Sequence, residues 1–389
     1  MNLQYFIPTR LVFGSGKIKT LHELELPGKR ALIVISAGKS TRENGYLDTV
    51  CGELDAAGVS YVIFDKILSN PVKSHVTEGA RLAAEQGCDF VLGLGGGSSI
   101  DSAKAIARMA TNDGDYWDYI SGGSGGGKTA PVKPLPIVAI PTTAGTGTEA
   151  DQWMVVTKEE TNEKIGSGDD GTFPTLSVID PELMLSVPPA LTAYQGFDAL
   201  FHSMEGFISR RANVISDAYA LKAIELIAKN LPAAVADGGN LAAREAVAMG
   251  SMLSGMVEAI SGCTSEHSLE HALSAYHHDL QHGAGLIMIS REYYLHFARA
   301  GAAKERMAMM GRAMGNADAS CGMCFVSALS ELQGKCGVDK LKMSDYGIKK
   351  DELRKYAQNA KATMGGLFEN DPAELSEDGC VAILENSYR

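Results

Sequence analysis

The chain reads as a parallel α/β unit followed by an all-helical unit, and three features predict this. Short β-branched runs alternate with amphipathic stretches over the first half, while Leu, Ala and Met at helical spacing take over after Pro188-Pro189. A glycine run, Gly95-Gly96-Gly97, joins a strand-like stretch directly to a helical one. The runs at residues 31–35, 61–64, 90–94 and 136–140 are short and continuously apolar, as strands buried on both faces are. Helical periodicity fills residues 76–86 and 99–111 between them. Ahead of them, residues 5–8 and 11–14 predict an edge hairpin. The tandem proline stops one unit and starts the next, so the expected domains are residues 1–187 and 188–389.

Composition narrows the function class. A chain of 389 residues exceeds one ordinary core. Charged residues make up 21%, hydrophobic ones 45%, and the formal net charge is −12, with no basic stripe for a nucleic acid. No apolar stretch nears the ~20 residues of a membrane helix, and the first residues lack a leader pattern. The expectation is a cytoplasmic globular protein. Its seven cysteines are odd in number and scattered, which argues against a disulfide framework. Cys321-Gly-Met-Cys324 has no second pair nearby and reads as core cysteines in a helix.

Six of the nine histidines fall where a metal could use them. Asp198 and His202 are four residues apart, as are His267 and His271, and on a helix such pairs share a face. With His282 they supply one carboxylate and several imidazoles, a mixture that suits Fe²⁺ or Zn²⁺ better than Mg²⁺ or Ca²⁺. Any one pair alone is better explained as an exposed helix pair. The combination is not, because the apolar flanks around Asp198 would make an unpaired carboxylate costly.

Two glycine segments compete as phosphate cradles. Residues 122–129 satisfy the phosphate-loop pattern literally, but a strand must precede such a loop and a helix must come after it. Prolines come after it here, so this segment reads as a flexible surface loop. The better cradle is Gly95-Gly96-Gly97-Ser98, between a strand and a helix, where N–H groups and the helix dipole meet a pyrophosphate. Pro141-Thr142-Thr143-Ala144-Gly145-Thr146 lies just after another strand and offers hydroxyls to a ribose or nicotinamide.

With these residues in place, the chain resembles the iron-containing, or group III, alcohol dehydrogenases. The resemblance runs from Phe13-Gly-Ser-Gly16 through Asn70-Pro71, Gly97-Ser98-x-x-Asp101-x-x-Lys104, Pro141-Thr142-Thr143, Asp180-Pro181, Gly196-Phe-Asp198-x3-His202-x-x-Glu205 and His267-x3-His271 to His282-Gly283. It implies a Rossmann-like NAD(P)-binding domain, an all-α metal-binding domain (the dehydroquinate synthase-like fold) and a catalytic cleft between them. By the same resemblance Asp198, His202, His267 and His282 are the metal ligands, and His271 stands near the nicotinamide without ligating. Gly96, Gly97 and Ser98 hold the pyrophosphate; Asn70, Asp101, Thr142, Thr143, Thr146 and Lys164 line the cofactor. One departure is that Gln281 precedes His282 where the family has proline. The neighbouring His277-His278 reads as a solvent-exposed pair.

The activity implied by the resemblance is reversible hydride transfer between a small primary alcohol and NAD(P)⁺, assisted by one divalent metal, Fe²⁺ before Zn²⁺. His271 relays the alcohol proton. The stretch after the second nucleotide-binding strand, Ser36-Ala-Gly-Lys39-Ser40, has no acid to hold a ribose 2′-OH, so NADP(H) is expected before NAD(H). Gln152, Trp153, Phe201, Cys263 and Tyr276 are candidates to line a small pocket. The alternatives within the fold are a reductase of a hydroxy acid or functionalised aldehyde, a glycerol dehydrogenase-like enzyme and the lyase dehydroquinate synthase; a catalytically idle scaffold is the reading from another class. A homodimer or larger homo-oligomer is expected from the family.

Overall fold

The computed structural model describes residues 3–389, which form two compact units. One comprises Phe6–Thr143 and Gly147–Ser186; the other comprises Val187–Arg389, the short stretch Ala144–Thr146 and the first described residues up to Tyr5.

The α/β unit is built on a six-stranded sheet, parallel throughout, in the order β1-β8-β5-β4-β2-β3. The strands are β1 (Arg10–Phe13), β2 (Arg30–Ser36), β3 (Ser60–Ile67), β4 (Phe90–Gly95), β5 (Ile137–Pro141) and β8 (Leu176–Ile179), with β6 (Met154–Lys158) and β7 (Glu163–Ser167) forming a separate antiparallel hairpin. Helices α1 (Ser40–Glu43), α2 (Tyr46–Ala56), α3 (Lys73–Glu85) and α4 (Gly97–Met109) fill the crossovers. The four apolar runs are β2 to β5, and their side chains Ile33, Leu92, Leu94, Val138 and Ile140 are fully buried together.

The edge hairpin expected near the N-terminus does not form. β1 pairs instead in parallel with β8, Arg10 opposite Leu176, a partner that no local pattern announces. Asp180, at the end of β8, secures this pairing: its carboxylate accepts from the N–H groups of Gly16 (3.1 Å), Ile18 (3.0 Å) and Glu182 (3.0 Å). Gly16 sits at φ 76°, which a side chain would strain. Thus Phe13-Gly-Ser-Gly16 and Asp180-Pro181 are two halves of one fastening.

Residues 122–129 lie at the surface, as expected, and are held there by hydrogen bonds. Gly126 N–H reaches Trp117 O, Gly127 N–H reaches Ile120 O and Lys128 N–H reaches Asp118 O. Ser124 donates from its N–H (2.7 Å) and hydroxyl (2.6 Å) to Glu163. These amides are taken up by the preceding turn and by Glu163, so the segment lacks the free N–H cluster that a phosphate needs.

The helical unit runs α5 (Pro189–Ile208), α6 (Val214–Ala236), α7 (Leu241–Ser261), α8 (Ser265–Tyr276), α9 (His282–Arg299), α10 (Lys304–Ala313), α11 (Gly322–Lys335), α12 (Leu353–Met364) and α13 (Glu377–Ser387). Proline at the first position of α5 suits a helix start, and Asn213 with Ser216 caps α6 reciprocally. At Gly262 (φ 67°) the chain turns 107° from α7 into α8. The core is aromatic: Phe201 stacks on Tyr294 (6.4 Å) and packs beside Phe197 (5.9 Å), with no exposed surface. Phe201 is therefore a core residue and not a pocket lining. No single helix among the described residues is long and apolar enough to cross a membrane.

Candidate metal centre and phosphate cradle

Three helices of the helical unit converge on one carboxylate oxygen. α5 carries Asp198 and His202 one turn apart, α8 carries His267 and His271 likewise, and α9 begins at His282. From Asp198 Oδ1 the distances are 3.4 Å to His282 Nε2, 3.6 Å to His267 Nε2 and 3.7 Å to His202 Nδ1. Asp198, His202 and His267 are each at most 5% exposed. Asp198 Oδ1, His202 Nδ1 and His267 Nε2 are buried and make no hydrogen bond. Orphaned buried acceptors cost free energy, and three aimed at one spot fit a cation held between them. A carboxylate with imidazole nitrogens is the donor set of a divalent transition metal.

The four expected ligands are not equivalent. Atoms of Asp198, His267 and His282 lie within 4.8 Å of one another, whereas His202 falls in such a group with His267 and Cys263. The His202 ring stacks on that of His267 (4.3 Å between centroids), and its Nε2 faces Glu258 at 3.5 Å. Burial pushes His202 down to about 3 despite Asp198 beside it, so this ring is neutral with its lone pair available. Burial works against the charge on Asp198, but the imidazole cluster facing it outweighs this and holds the carboxyl well below its ordinary value.

Two carboxylates set the ring orientations. His267 Nδ1 is hydrogen-bonded to Glu205 and His282 Nδ1 to Glu270, which keeps each Nδ1 proton outward and turns each Nε2 inward. Carboxylates behind ligating histidines fix tautomer and angle in this way. Glu205 also accepts from Thr264 N–H and hydroxyl, each at 2.8 Å. Room for Glu270 comes from Gly285, where a Cβ would lie 2.7 Å from the Glu270 side chain; at Gly283 a Cβ would lie 2.1 Å from the Tyr194 carbonyl, so only glycine lets α9 start this close to α5. Sequence reasoning gives no role to Glu205 and overlooks Glu270, although the i, i+3 spacing of His267 and Glu270 is a usable signal. Glu270→Gln should lower metal affinity about 10–100-fold without unfolding the protein, measured by competition with a chelator of known affinity.

His271 is brought to the same place but faces differently. Its Nδ1 meets Met364 Sδ at 2.9 Å, and its ring centroid is 5.2 Å from that of His282. His277 is not a solvent-exposed histidine: it ends α8 half-buried, with Nε2 2.8 Å from Tyr356 Oη. His278 alone is exposed. Tyr276 packs against Tyr356 (5.5 Å) and under the Lys355 ammonium.

In the α/β unit, Gly96 is the N-cap of α4, and no side chain caps that helix. Its first N–H groups therefore remain for an anion. A Cβ at Gly96 would lie 3.3 Å from Thr143, so glycine keeps the loop's mouth open. Ser98 Oγ is committed to Ser69 O, and Lys164 Nζ donates to Asn70 Oδ1 at 3.2 Å. Asp101, expected to face the cofactor, is employed inside the fold: its oxygens accept from Thr148 Oγ1 (2.7 Å) and Val155 N–H (2.9 Å). Lys104 is likewise fully buried and holds Thr148, Asp151 and Trp153. The two charged residues of this motif shape the loop beside the cradle.

Beyond β2, Ser36, Ala37, Gly38, Lys39, Arg42, Glu43 and Asp65 line a cavity of about 240 Å³. The stretch 36–40 has no acid of its own, but Glu43 of α1 and Asp65 of β3 each supply one, and Asp65 pairs with Arg42 at 2.7 Å. Neither residue is legible as part of a site from sequence, since they come from different elements.

The family model for the iron-containing alcohol dehydrogenase domain matches residues 8–181, and the model for the C-terminal domain of Fe-containing alcohol dehydrogenases matches residues 192–388. The chain belongs to the iron-containing alcohol dehydrogenase family. It is 34% identical to the 1,3-propanediol dehydrogenase of Citrobacter freundii over 99% of this chain and 98% of that one. It is 36% identical to the NAD-dependent methanol dehydrogenase of Bacillus methanolicus over 72% of each chain. Among solved structures it is similar to an archaeal halo-thermophilic alcohol dehydrogenase from a Red Sea brine pool, solved with NZQ bound, at a TM-score of 0.93 and 30% identity with full coverage of both chains. As an iron-containing alcohol dehydrogenase, the protein is an oxidoreductase of the NAD(P)-dependent class that acts on an alcohol or aldehyde.

Proposed function

We propose that the protein interconverts a small primary alcohol and its aldehyde with NADP(H) or NAD(H), using one divalent metal, Fe²⁺ before Zn²⁺, held by Asp198, His202, His267 and His282. The observation that carries this reading is the set of three buried, hydrogen-bond-free ligand atoms on Asp198, His202 and His267. A single carboxylate among imidazole ligands leaves net positive charge on a bound divalent ion, which favours an oxygen ligand with developing negative charge. When bound, the metal supplies Lewis-acid polarisation of the substrate oxygen and the nicotinamide supplies or accepts the hydride. The chain's own residues do the rest. Glu205 and Glu270 hold the imidazole tautomers, the bare N-terminus of α4 receives the pyrophosphate, and His271 takes the alcohol proton. Its Nδ1 faces Met364 and its ring lies beside that of His282, and a neutral imidazole accepts such a proton near neutral pH.

Cofactor choice rests on the cavity beyond β2. Lys39 and Arg42 supply two cations for a 2′-phosphate, against which Glu43 and Asp65 set two carboxylates, so NADPH is read as accepted alongside NADH. Homodimerisation or larger assembly is proposed from the family alone. The test strips the protein of metal, reloads it anaerobically with Fe²⁺ or Zn²⁺, and monitors NADPH and NADH oxidation with short aldehydes, including hydroxylated and acidic ones. Activity that returns only with metal is the expected result. Metal binding at one equivalent with no aldehyde reduced refutes the substrate class, and a strong preference for NADH refutes the cofactor assignment.

A further inference from the structure

Cys321 and Cys324 take no part in the metal centre, and they are not the core cysteines the sequence suggests. Both are partly exposed, and Met323 between them is 52% exposed. Cys321 is the N-cap of α11, with extended backbone (φ −152°, ψ 163°), and its Sγ accepts from Cys324 N–H at 3.3 Å. The capping side chain is thus already folded over the first turn toward its neighbour. Residues three apart on a helix have Cβ atoms about 5–6 Å apart, against about 3.5–4.5 Å in a disulfide, so a small adjustment at the helix end closes the gap. The Cys324 thiol is held down to about 7 by hydrogen bonds from the Cys321 thiol and from the backbone N–H groups of Ser320 and Cys321, as thiols in such motifs are. The other five thiols, Cys51, Cys88, Cys263, Cys336 and Cys380, are all pushed up by burial.

We infer that Cys321 and Cys324 form a redox-active dithiol that closes reversibly to a disulfide on exposure to a hydroperoxide. The Cys324 thiolate attacks the terminal peroxide oxygen; the O–O bond breaks, sulfur is oxidised to sulfenic acid and the peroxide is reduced to its alcohol. Cys321 sulfur then attacks that of Cys324, the S–O bond breaks, and water leaves with the second thiol proton. In sum, two thiols and one hydroperoxide give one disulfide, one alcohol and one water. A dithiol reductant reverses the change.

The pair lies at the far end of α9 from His282. A Cβ at Gly322 would meet Ala298 at 2.8 Å and Met307 at 3.0 Å, and Ala298 is roughly 24 Å along the helix from His282 at the usual rise. Oxidation should therefore leave metal content and turnover unchanged, which makes the inference independent of the proposed reaction.

The test uses the zinc-loaded protein, reduced, freed of reductant and given one equivalent of tert-butyl hydroperoxide. Cleavage after Arg312 and Lys335 gives a peptide that holds both cysteines and no other. Its expected state is two hydrogens lighter, closed to iodoacetamide and reopened by dithiothreitol, before any of the other five cysteines changes. Cys321→Ser retains a capping side chain and should stop at a Cys324 sulfenic acid that dimedone labels. Cys324→Ser should leave Cys321 unoxidised at the same dose. A peptide that stays dithiol, that gains oxygen only at Met314 or Met323, or that carries Cys324 to the sulfinic acid without pairing overturns the inference.

Discussion

Asp198→Ala should empty the metal centre and abolish turnover. Asp198 Oδ1 is the atom that all three neighbouring rings approach, at 3.4 to 3.7 Å, and its carboxylate is the negative charge placed among them. Without it, a bound ion would face imidazoles alone in a buried site, and electrostatic attraction in such surroundings is strong. We expect metal content to fall from one equivalent to background and kcat/KM to drop by at least about 10³-fold, some 4 kcal/mol of lost transition-state stabilisation. Elemental analysis beside steady-state rates checks both. The thermal transition of the variant should lose its response to added metal, because an ion that no longer binds the folded state cannot stabilise it. A variant that keeps its metal and most of its rate would show that the ion sits elsewhere among these histidines.

His271→Ala should separate chemistry from binding. The variant should keep one equivalent of metal while kcat for alcohol oxidation falls about 10²–10⁴-fold, the range for removing a positioned acid–base group. Raising the pH should recover part of the loss, since solvent hydroxide then takes the proton His271 no longer accepts. Loss of metal from this variant would instead make His271 a ligand. That outcome has a structural basis to exclude, because Glu270, His271 and His282 also offer ligand atoms within 4.8 Å of one another.

Much of this centre is written in local spacing. Asp198 with His202 and His267 with His271 are i, i+4 pairs, and helical geometry alone places each pair on one face. What spacing does not encode is which way a ring turns. The Nε2 atoms of His267 and His282 point inward because Glu205 and Glu270 hold the opposite nitrogens, and His202 presents Nδ1 rather than Nε2 to Asp198. The fold shows the same division. β2 to β5 are continuous apolar runs and are legible, whereas the pairing of β1 is not, because its partner β8 lies at the other end of the unit. Asp101 and Lys104 sit beside the cradle in sequence, yet their partners, Thr148 to Val155, are brought there only by the crossover of the chain. Arg42 and Asp65 are hidden from local patterns for that reason too.

The composition of the helical unit has a practical corollary. It is not one continuous length of polypeptide: Ala144–Thr146, deep within the first half of the chain, belongs to it. Gly145 lies against Gln195 of α5, close enough that a Cβ there would approach to 3.0 Å, and its backbone is hydrogen-bonded to the His202 ring. A protein severed before Val187 would yield a carboxyl-terminal fragment holding every histidine of the centre but missing the strap that braces one of them. Fragment exchange between relatives, or swapping of halves to graft a new specificity, should therefore carry the threonine loop along with the helices.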